Sequence, residues 1–179
     1  MGVIYMKILN FGSLNIDYVY SVDHFVQKGE TISSSQMNIF SGGKGLNQST
    51  ALGRAGAQVF HAGGIGKGGE FLVEQLKEAG VNTDLVVLDS QCSTGHAIIQ
   101  NDAEGDNCIL LYGGANQRIT KEQIDATLDQ FDAGDYLVLQ NETSNLPYLM
   151  EKAAEKQMKI VLNPSPMDEK IKALPLDKV

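Results

Sequence analysis

The sequence predicts an α/β fold, with a doubly wound and mainly parallel sheet beside a small antiparallel sheet. Short apolar segments alternate with amphipathic segments along most of the 179 residues, which is typical of βαβ units. A few further strand-like segments have no helix between them, which favours antiparallel pairing. Hydrophobic residues make up 42% and charged residues 20%, so a single domain (1–179) with a substantial core is expected.

The core elements follow from periodicity and from stop signals. Leu72, Leu76 and Ala79 share one helical face, and Gly80 follows as a typical C-terminal stop. Thr120 is a suitable N-cap for another helix. The predicted core strands are 7–11, 58–62, 84–88, 135–139 and 159–162, and the predicted helices are 45–55, 69–79, 120–130 and 146–154.

The second sheet is predicted from strand-like segments outside that alternation. Residues 18–22 and 36–40 are two of them, and residues 96–100 and 108–112 form a hairpin around the polar turn 101–107. We expect these strands to project from the core as a separate antiparallel layer.

Charge and composition exclude several classes of partner. The net charge is −8, which gives no electrostatic support for binding nucleic acid or anionic lipid, so a small molecule is the expected partner. Cys92 and Cys108 form no disulfide framework or metal motif, and no secretory signal or transmembrane stretch is visible. A cytoplasmic protein with no metal site and no membrane contact is therefore expected.

Polar side chains follow three of the predicted core strands. The segment 12–17 contains Asn15 and Asp17, Glu142 follows the strand 135–139, and Asn163 follows the last strand. Ligands of open parallel sheets bind beyond the carboxyl ends of the strands, where these groups would meet. Amides and carboxylates are suited to the hydroxyl groups of a polyol.

Two glycine-rich runs precede predicted helices. The run 41–47 lies where free backbone N–H groups can bind oxygen ligands, but its spacing is not that of a P-loop. The run 64–69 has only a weak likeness to a dinucleotide fingerprint, and it would need Asp89 as the ribose-binding acid. A nucleotide-dependent oxidoreductase therefore stays open as a minor alternative.

The run Gly42-Gly43-Lys44-Gly45-Leu46-Asn47, continued to Gly56, resembles the first signature of the ribokinase-like (PfkB) carbohydrate kinases. The segments 13–17, 29–31, 93–95, 113–116 and 162–166 are similar to other parts of that family, and within it the chain is most like the ribokinases. The resemblance covers residues 7 to 179, as the N-terminal portion of such a kinase.

The resemblance implies a ribokinase-like fold with a β lid formed by segments about 17–41 and 95–113, and this lid is also expected to form a homodimer. It implies phosphoryl transfer from ATP to a sugar hydroxyl, most favourably that of ribose rather than fructose, deoxyribose or a nucleoside. It further implies ATP and Mg²⁺ as cofactors of the complete enzyme, and it leaves a monovalent cation open. The substrate-binding residues that it implies are Asn15, Asp17, Gly42, Gly43, Lys44, Asn47, Ala97, Ile99 and Glu142.

One part of the family pattern is not found in these residues. The second signature of the family, a Gly-Ala-Gly-Asp stretch that supplies the anion hole and the general base, does not occur in the sequence. The segment 113–116 is not a substitute, because an asparagine cannot act as the base. We therefore expect the sheet to be incomplete at its C-terminal side, the catalytic residues and the ATP site to lie elsewhere, and residues 1–179 alone to be inactive. A non-catalytic sugar-binding or interaction module is the alternative.

Overall fold

The computed structural model describes residues 6–179, which form two β-sheets and four α-helices. The strands and helices are, in chain order, β1 (Ile8–Phe11), β2 (Asn15–Ser21), β3 (Gln36–Gly42), α1 (Lys44–Arg54), β4 (Val59–Lys67), α2 (Glu70–Glu78), β5 (Asn82–Ser93), β6 (Gly95–Asn101), β7 (Asn107–Tyr112), α3 (Lys121–Leu128), β8 (Tyr136–Gln140), α4 (Leu146–Glu155) and β9 (Lys159–Asn163). Short 3-10 turns occupy Gly114–Gln117, Glu169–Ala173 and Leu176–Lys178.

The larger sheet has five parallel strands in the order β5-β4-β1-β8-β9. On one face, Leu46 of α1 and Leu72 of α2 pack with Val59 and Ile65 of the sheet. On the other face, residues of α3 and α4 such as Ile124 pack against the strands. Helices on both faces explain why the strands are nearly continuous apolar runs, and the predicted doubly wound sheet is confirmed.

The smaller sheet has four strands in the order β3-β2-β6-β7. The pairs β2–β3 and β6–β7 are antiparallel as predicted, whereas β2 and β6 are parallel to each other, so the sheet is mixed. The reason is topological. Both β2 and β6 leave the same edge of the core sheet, the first after β1 and the second after β5, and they therefore run in the same direction.

The glycine run 64–69 is not a phosphate-binding turn. Gly64 and Gly66 lie inside β4, which extends to Lys67 rather than ending near residue 62. A Cβ on Gly66 would lie 2.3 Å from the carbonyl oxygen of Cys92, so this glycine permits the close approach of neighbouring backbone. The proposed acid, Asp89, instead pairs with Arg118. The structure therefore gives no support to dinucleotide binding at this segment.

Within residues 6–179, the structure has no helix with the length and apolarity needed to span a bilayer.

Candidate functional site

A cleft of about 210 Å³ lies between the carboxyl edge of the core sheet and the smaller sheet. Its floor comes from the first residues of β2, from the start of α1 and from Glu142 just after β8, and its roof comes from β6 and β7. The lining residues are Asn15, Asp17, Gly43, Lys44, Asn47, Ala97, Ile99, Ile109, Leu111 and Glu142.

The start of α1 forms one wall of the cleft. Gly43 precedes the helix with φ 97°, a conformation that side chains other than glycine rarely adopt. A Cβ on Gly45 would lie 2.4 Å from the backbone nitrogen of Ser13, so only glycine lets the helix approach this loop. The amide of Leu46 donates to the Ser13 carbonyl at 3.0 Å. The signature glycines therefore dock the helix start beside the segment that carries Asn15 and Asp17.

Asp17 projects from β2 over the backbone of Gly42 on the neighbouring strand. A Cβ at Gly42 would lie 2.2 Å from Asp17 Oδ2, so glycine is needed to leave room for the carboxylate. Burial raises the pKa of Asp17, and the nearby Glu142 raises it further, whereas the Lys44 ammonium lowers it. The carboxylate is thus partly desolvated, which strengthens its hydrogen bonds to a ligand.

Glu142 is bonded to the opposite wall. Its Oε1 accepts a hydrogen bond from Lys44 Nζ at 2.8 Å, and its Oε2 accepts from the Lys44 backbone amide at 3.1 Å and from the Ser13 hydroxyl. The side chain is only 6% exposed. The pair joins the end of β8 to the start of α1 and places one positive and one negative group at the cleft.

The roof of the cleft is apolar. Leu111 lies opposite Ala97, and Ile109 lies opposite Ile99, in the antiparallel register of β6 and β7. Ala97 also pairs with Asp17 of β2. The roof therefore covers the polar floor with side chains that cannot compete for its hydrogen bonds.

Eight of the nine residues predicted for the site line this one cleft, and the ninth, Gly42, lies behind Asp17. Sequence reasoning missed Ile109 and Leu111, although the predicted hairpin contained the necessary signal. In a hairpin, residues directly opposite each other share a face, so Ala97 and Ile99 imply their partners on β7. Ser13 as a partner of Glu142 could not be found, because the contact joins segments 129 residues apart.

A buried polar cluster lies beneath the floor of the cleft. The Asn10 amide donates to the Gly45 carbonyl and to Ser49 Oγ, both at 2.9 Å, and Ser49 Oγ lies 2.7 Å from His61 Nδ1. Gln140 donates to Asn10 Oδ1 at 2.9 Å. Burial lowers the pKa of His61 from 6.5 to about 4, and the backbone at Gly12 opposes this shift. His61 is thus neutral at pH 7 and links α1 to the core sheet.

Comparison with known proteins places these features in a family. The family model described as "pfkB family carbohydrate kinase" matches residues 6–175. The ribokinase of Staphylococcus aureus is 35% identical over 175 residues, covering 94% of this chain and 56% of that protein. The ribokinase of Haemophilus influenzae is 35% identical over 159 residues, covering 87% of this chain and 52% of that protein.

Solved structures agree with the sequence comparison. A crystal structure of ribokinase from Cryptococcus neoformans, in complex with ADP, has a TM-score of 0.81 and 36% identity, and the match covers 97% of this chain and 56% of that one. The chain thus spans about half the length of the relatives that it matches.

Proposed function

Because this chain belongs to the pfkB family of carbohydrate kinases, we propose that its cleft binds a sugar, most favourably ribose, as the acceptor in ATP-dependent phosphoryl transfer to a sugar hydroxyl. The observation that carries the proposal is the convergence of Asp17, Asn47 and Glu142 on one cleft under an apolar roof. Carboxylate and amide groups pair with hydroxyls, and the apolar roof suits the carbon face of a sugar ring.

The described residues have separate roles in the proposed binding of the sugar. Asp17 accepts hydrogen bonds from sugar hydroxyls, and Asn47 offers its side-chain amide from the first turn of α1. The Lys44–Glu142 pair fixes the wall opposite the roof. Closure of the roof excludes water, which protects a phosphoryl donor from hydrolysis.

ATP supplies the phosphoryl group in this reaction, but the sugar cleft itself has no room for a nucleotide. The cleft of about 210 Å³ is smaller than the ~300–1,000 Å³ of pockets for larger ligands. Among residues 6–179, no group of three or more His, Cys, Asp or Glu side chains could hold a metal ion. The ATP site, Mg²⁺, a monovalent cation and the general base are therefore proposed to belong to other parts of the functional enzyme.

The proposal is tested by titrating the 179-residue polypeptide with ribose in a calorimeter. Ribose is expected to bind more tightly than 2-deoxyribose, because a missing hydroxyl leaves a polar group of the cleft without a partner. The same polypeptide with ribose, ATP and Mg²⁺ is expected to form no ribose 5-phosphate. Absence of ribose binding would contradict the sugar site, and turnover would contradict the proposed division between acceptor and donor sites.

The smaller sheet is proposed to form a homodimer. Its exposed apolar residues include Ile39, Leu110 and Tyr112, which are 52%, 68% and 53% exposed. Burial of such side chains against a second copy would stabilise a dimer, and charged residues at the patch would oppose it. Leu110 and Tyr112 alternate along β7 with Ile109 and Leu111, so the patch lies on the face of the smaller sheet that points away from the cleft.

Leu110→Asp is expected to shift the protein from dimer to monomer in sedimentation velocity. Burying an unpaired carboxylate in the interface is the physical reason. Phe71→Asp is the matched control, because Phe71 is 42% exposed on α2, outside the smaller sheet, and its replacement should leave the dimer intact. A wild-type chain that sediments as a monomer, or a Leu110→Asp variant that remains dimeric, argues against this interface.

A further inference from the structure

Asn116 is a buried polar residue that lies beside the cleft but does not line it. It belongs to the 3-10 turn Gly114–Gln117 and is 2% exposed. Its Oδ1 accepts from the backbone amide of Leu14 at 3.0 Å, and its Nδ2 donates to the Leu14 carbonyl at 3.2 Å and to Asn15 Oδ1 at 2.8 Å.

These contacts fix the orientation of both side-chain amides. The backbone N–H of Leu14 can only donate and its carbonyl can only accept, so the Asn116 oxygen and nitrogen cannot be exchanged. Because Asn116 Nδ2 also faces the side chain of Asn15, Asn15 must present its oxygen to it. The side-chain nitrogen of Asn15, Nδ2, consequently points away from Asn116.

Asn15 Nδ2 makes no hydrogen bond to another residue of the described chain, and Asn15 lines the cleft. The cleft also contains two carboxylates, Asp17 and Glu142, which accept hydrogen bonds. Asn15 Nδ2 is thus a hydrogen-bond donor in a cleft that also contains two acceptors, so a ligand atom that bonds to Asn15 Nδ2 must accept a hydrogen bond.

The two asparagine side chains pack against the backbone of Gly95, where only a glycine leaves room for them. A Cβ on Gly95 would lie 2.3 Å from Asn116 Nδ2 and 2.4 Å from Asn15 Oδ1. Gly95 begins β6 and pairs with Asn15 in the smaller sheet. Two sequence segments without an assigned role, 93–95 and 113–116, therefore meet at the side chain of Asn15.

We infer that Asn116 is a positioning residue, which holds Asn15 so that its Nδ2 donates a hydrogen bond to an oxygen of the bound ligand. This inference rests on the proposed sugar site and adds the direction of one of its hydrogen bonds, in which Asn15 donates and the ligand accepts. Asn116 does not itself touch the ligand. It acts through Asn15.

The first measurement needs no ligand. In the ¹⁵N-labelled protein, the side-chain amide protons of Asn116 should exchange with water at least about tenfold more slowly than those of Asn15, because only the former are held between protein acceptors. Asn15→Asp assigns the signals, since it removes one pair. Faster exchange at Asn116 than at Asn15 overturns the inference whether or not ribose binds, so this outcome is independent of the sugar proposal.

The second measurement is ribose affinity. Asn15→Asp keeps an oxygen for Asn116 but presents oxygen instead of nitrogen to the ligand, so Kd should rise by about 30-fold. A new carboxylate in the cleft with Asp17 and Glu142 also lowers the stability, so ribose is titrated at a temperature at which thermal unfolding shows the variant to be folded. Asn116→Asp cannot donate to Asn15 and should cause a similar rise. Asn82→Asp, which carries the same charge change at the start of β5, should keep Kd within about twofold of wild type. Wild-type affinity in Asn15→Asp or Asn116→Asp contradicts the inference, whereas a wild-type protein that binds no ribose refutes the sugar site and leaves the exchange measurement to decide.

Discussion

Asp17→Asn is expected to weaken ribose binding by about 100-fold, the largest effect of any single change in the cleft. The carboxylate offers two charged acceptor oxygens, and hydrogen bonds to charged groups contribute about 1.5–3 kcal/mol each. The amide retains the shape but replaces one acceptor with a donor, which would face hydroxyl hydrogens or the wall. Calorimetric titration of ribose measures the change directly.

The control for this prediction separates binding from folding. Asp84→Asn removes one negative charge at an exposed position on β5 and should leave ribose affinity unchanged. Thermal unfolding of Asp17→Asn should resemble that of wild type, because Asp17 is a partly desolvated charge with a raised pKa and its removal does not expose the core. Equal affinity in Asp17→Asn and wild type would remove Asp17 from the proposed sugar site.

Most of the core was predictable because its elements have strong local signals. The five parallel strands and four helices follow from apolar runs, helix periodicity and stop residues such as Gly80. The extension of β5 to Ser93 was not predictable, because its second half is polar and is defined by pairing with Lys67. The parallel pairing of β2 and β6 was also missed, since strand direction is a property of the tertiary topology.

The candidate site was predictable as a set of residues but not as a network. The strand-end rule and the family resemblance identify Asp17, Asn47 and Glu142 as candidates. Which wall each occupies, and the contacts of Glu142 with Ser13 and Lys44, depend on the close packing allowed by Gly45. Buried polar residues beneath the floor, such as His61, belong to no sequence motif, so the sequence does not indicate their place in the network.

His61 is expected to make the free energy of unfolding strongly dependent on pH. Its folded pKa is about 4, against 6.5 ordinarily, because it is fully buried and the charged form is desolvated. As the pH falls below 6.5, His61 binds a proton in the unfolded chain but not in the folded chain. The free energy of unfolding therefore declines until the pH reaches about 4. The shift corresponds to a loss of about 3 kcal/mol across this window.

The variant His61→Asn isolates this contribution from that of the acidic side chains, which titrate in the same range. Asparagine can still form a hydrogen bond with Ser49 Oγ, and it has no proton to gain. Urea unfolding should therefore show that the free energy of unfolding of wild type, relative to that of His61→Asn, falls by about 3 kcal/mol between pH 7 and pH 4. The same substitution at the exposed His24 controls for loss of an imidazole. Parallel stability curves for wild type and His61→Asn would mean that His61 takes up its proton at the same pH in the folded and the unfolded protein. In that case burial would not exclude the charged imidazole, and a neutral His61 could not be the reason for the link between α1 and the core sheet below pH 6.5.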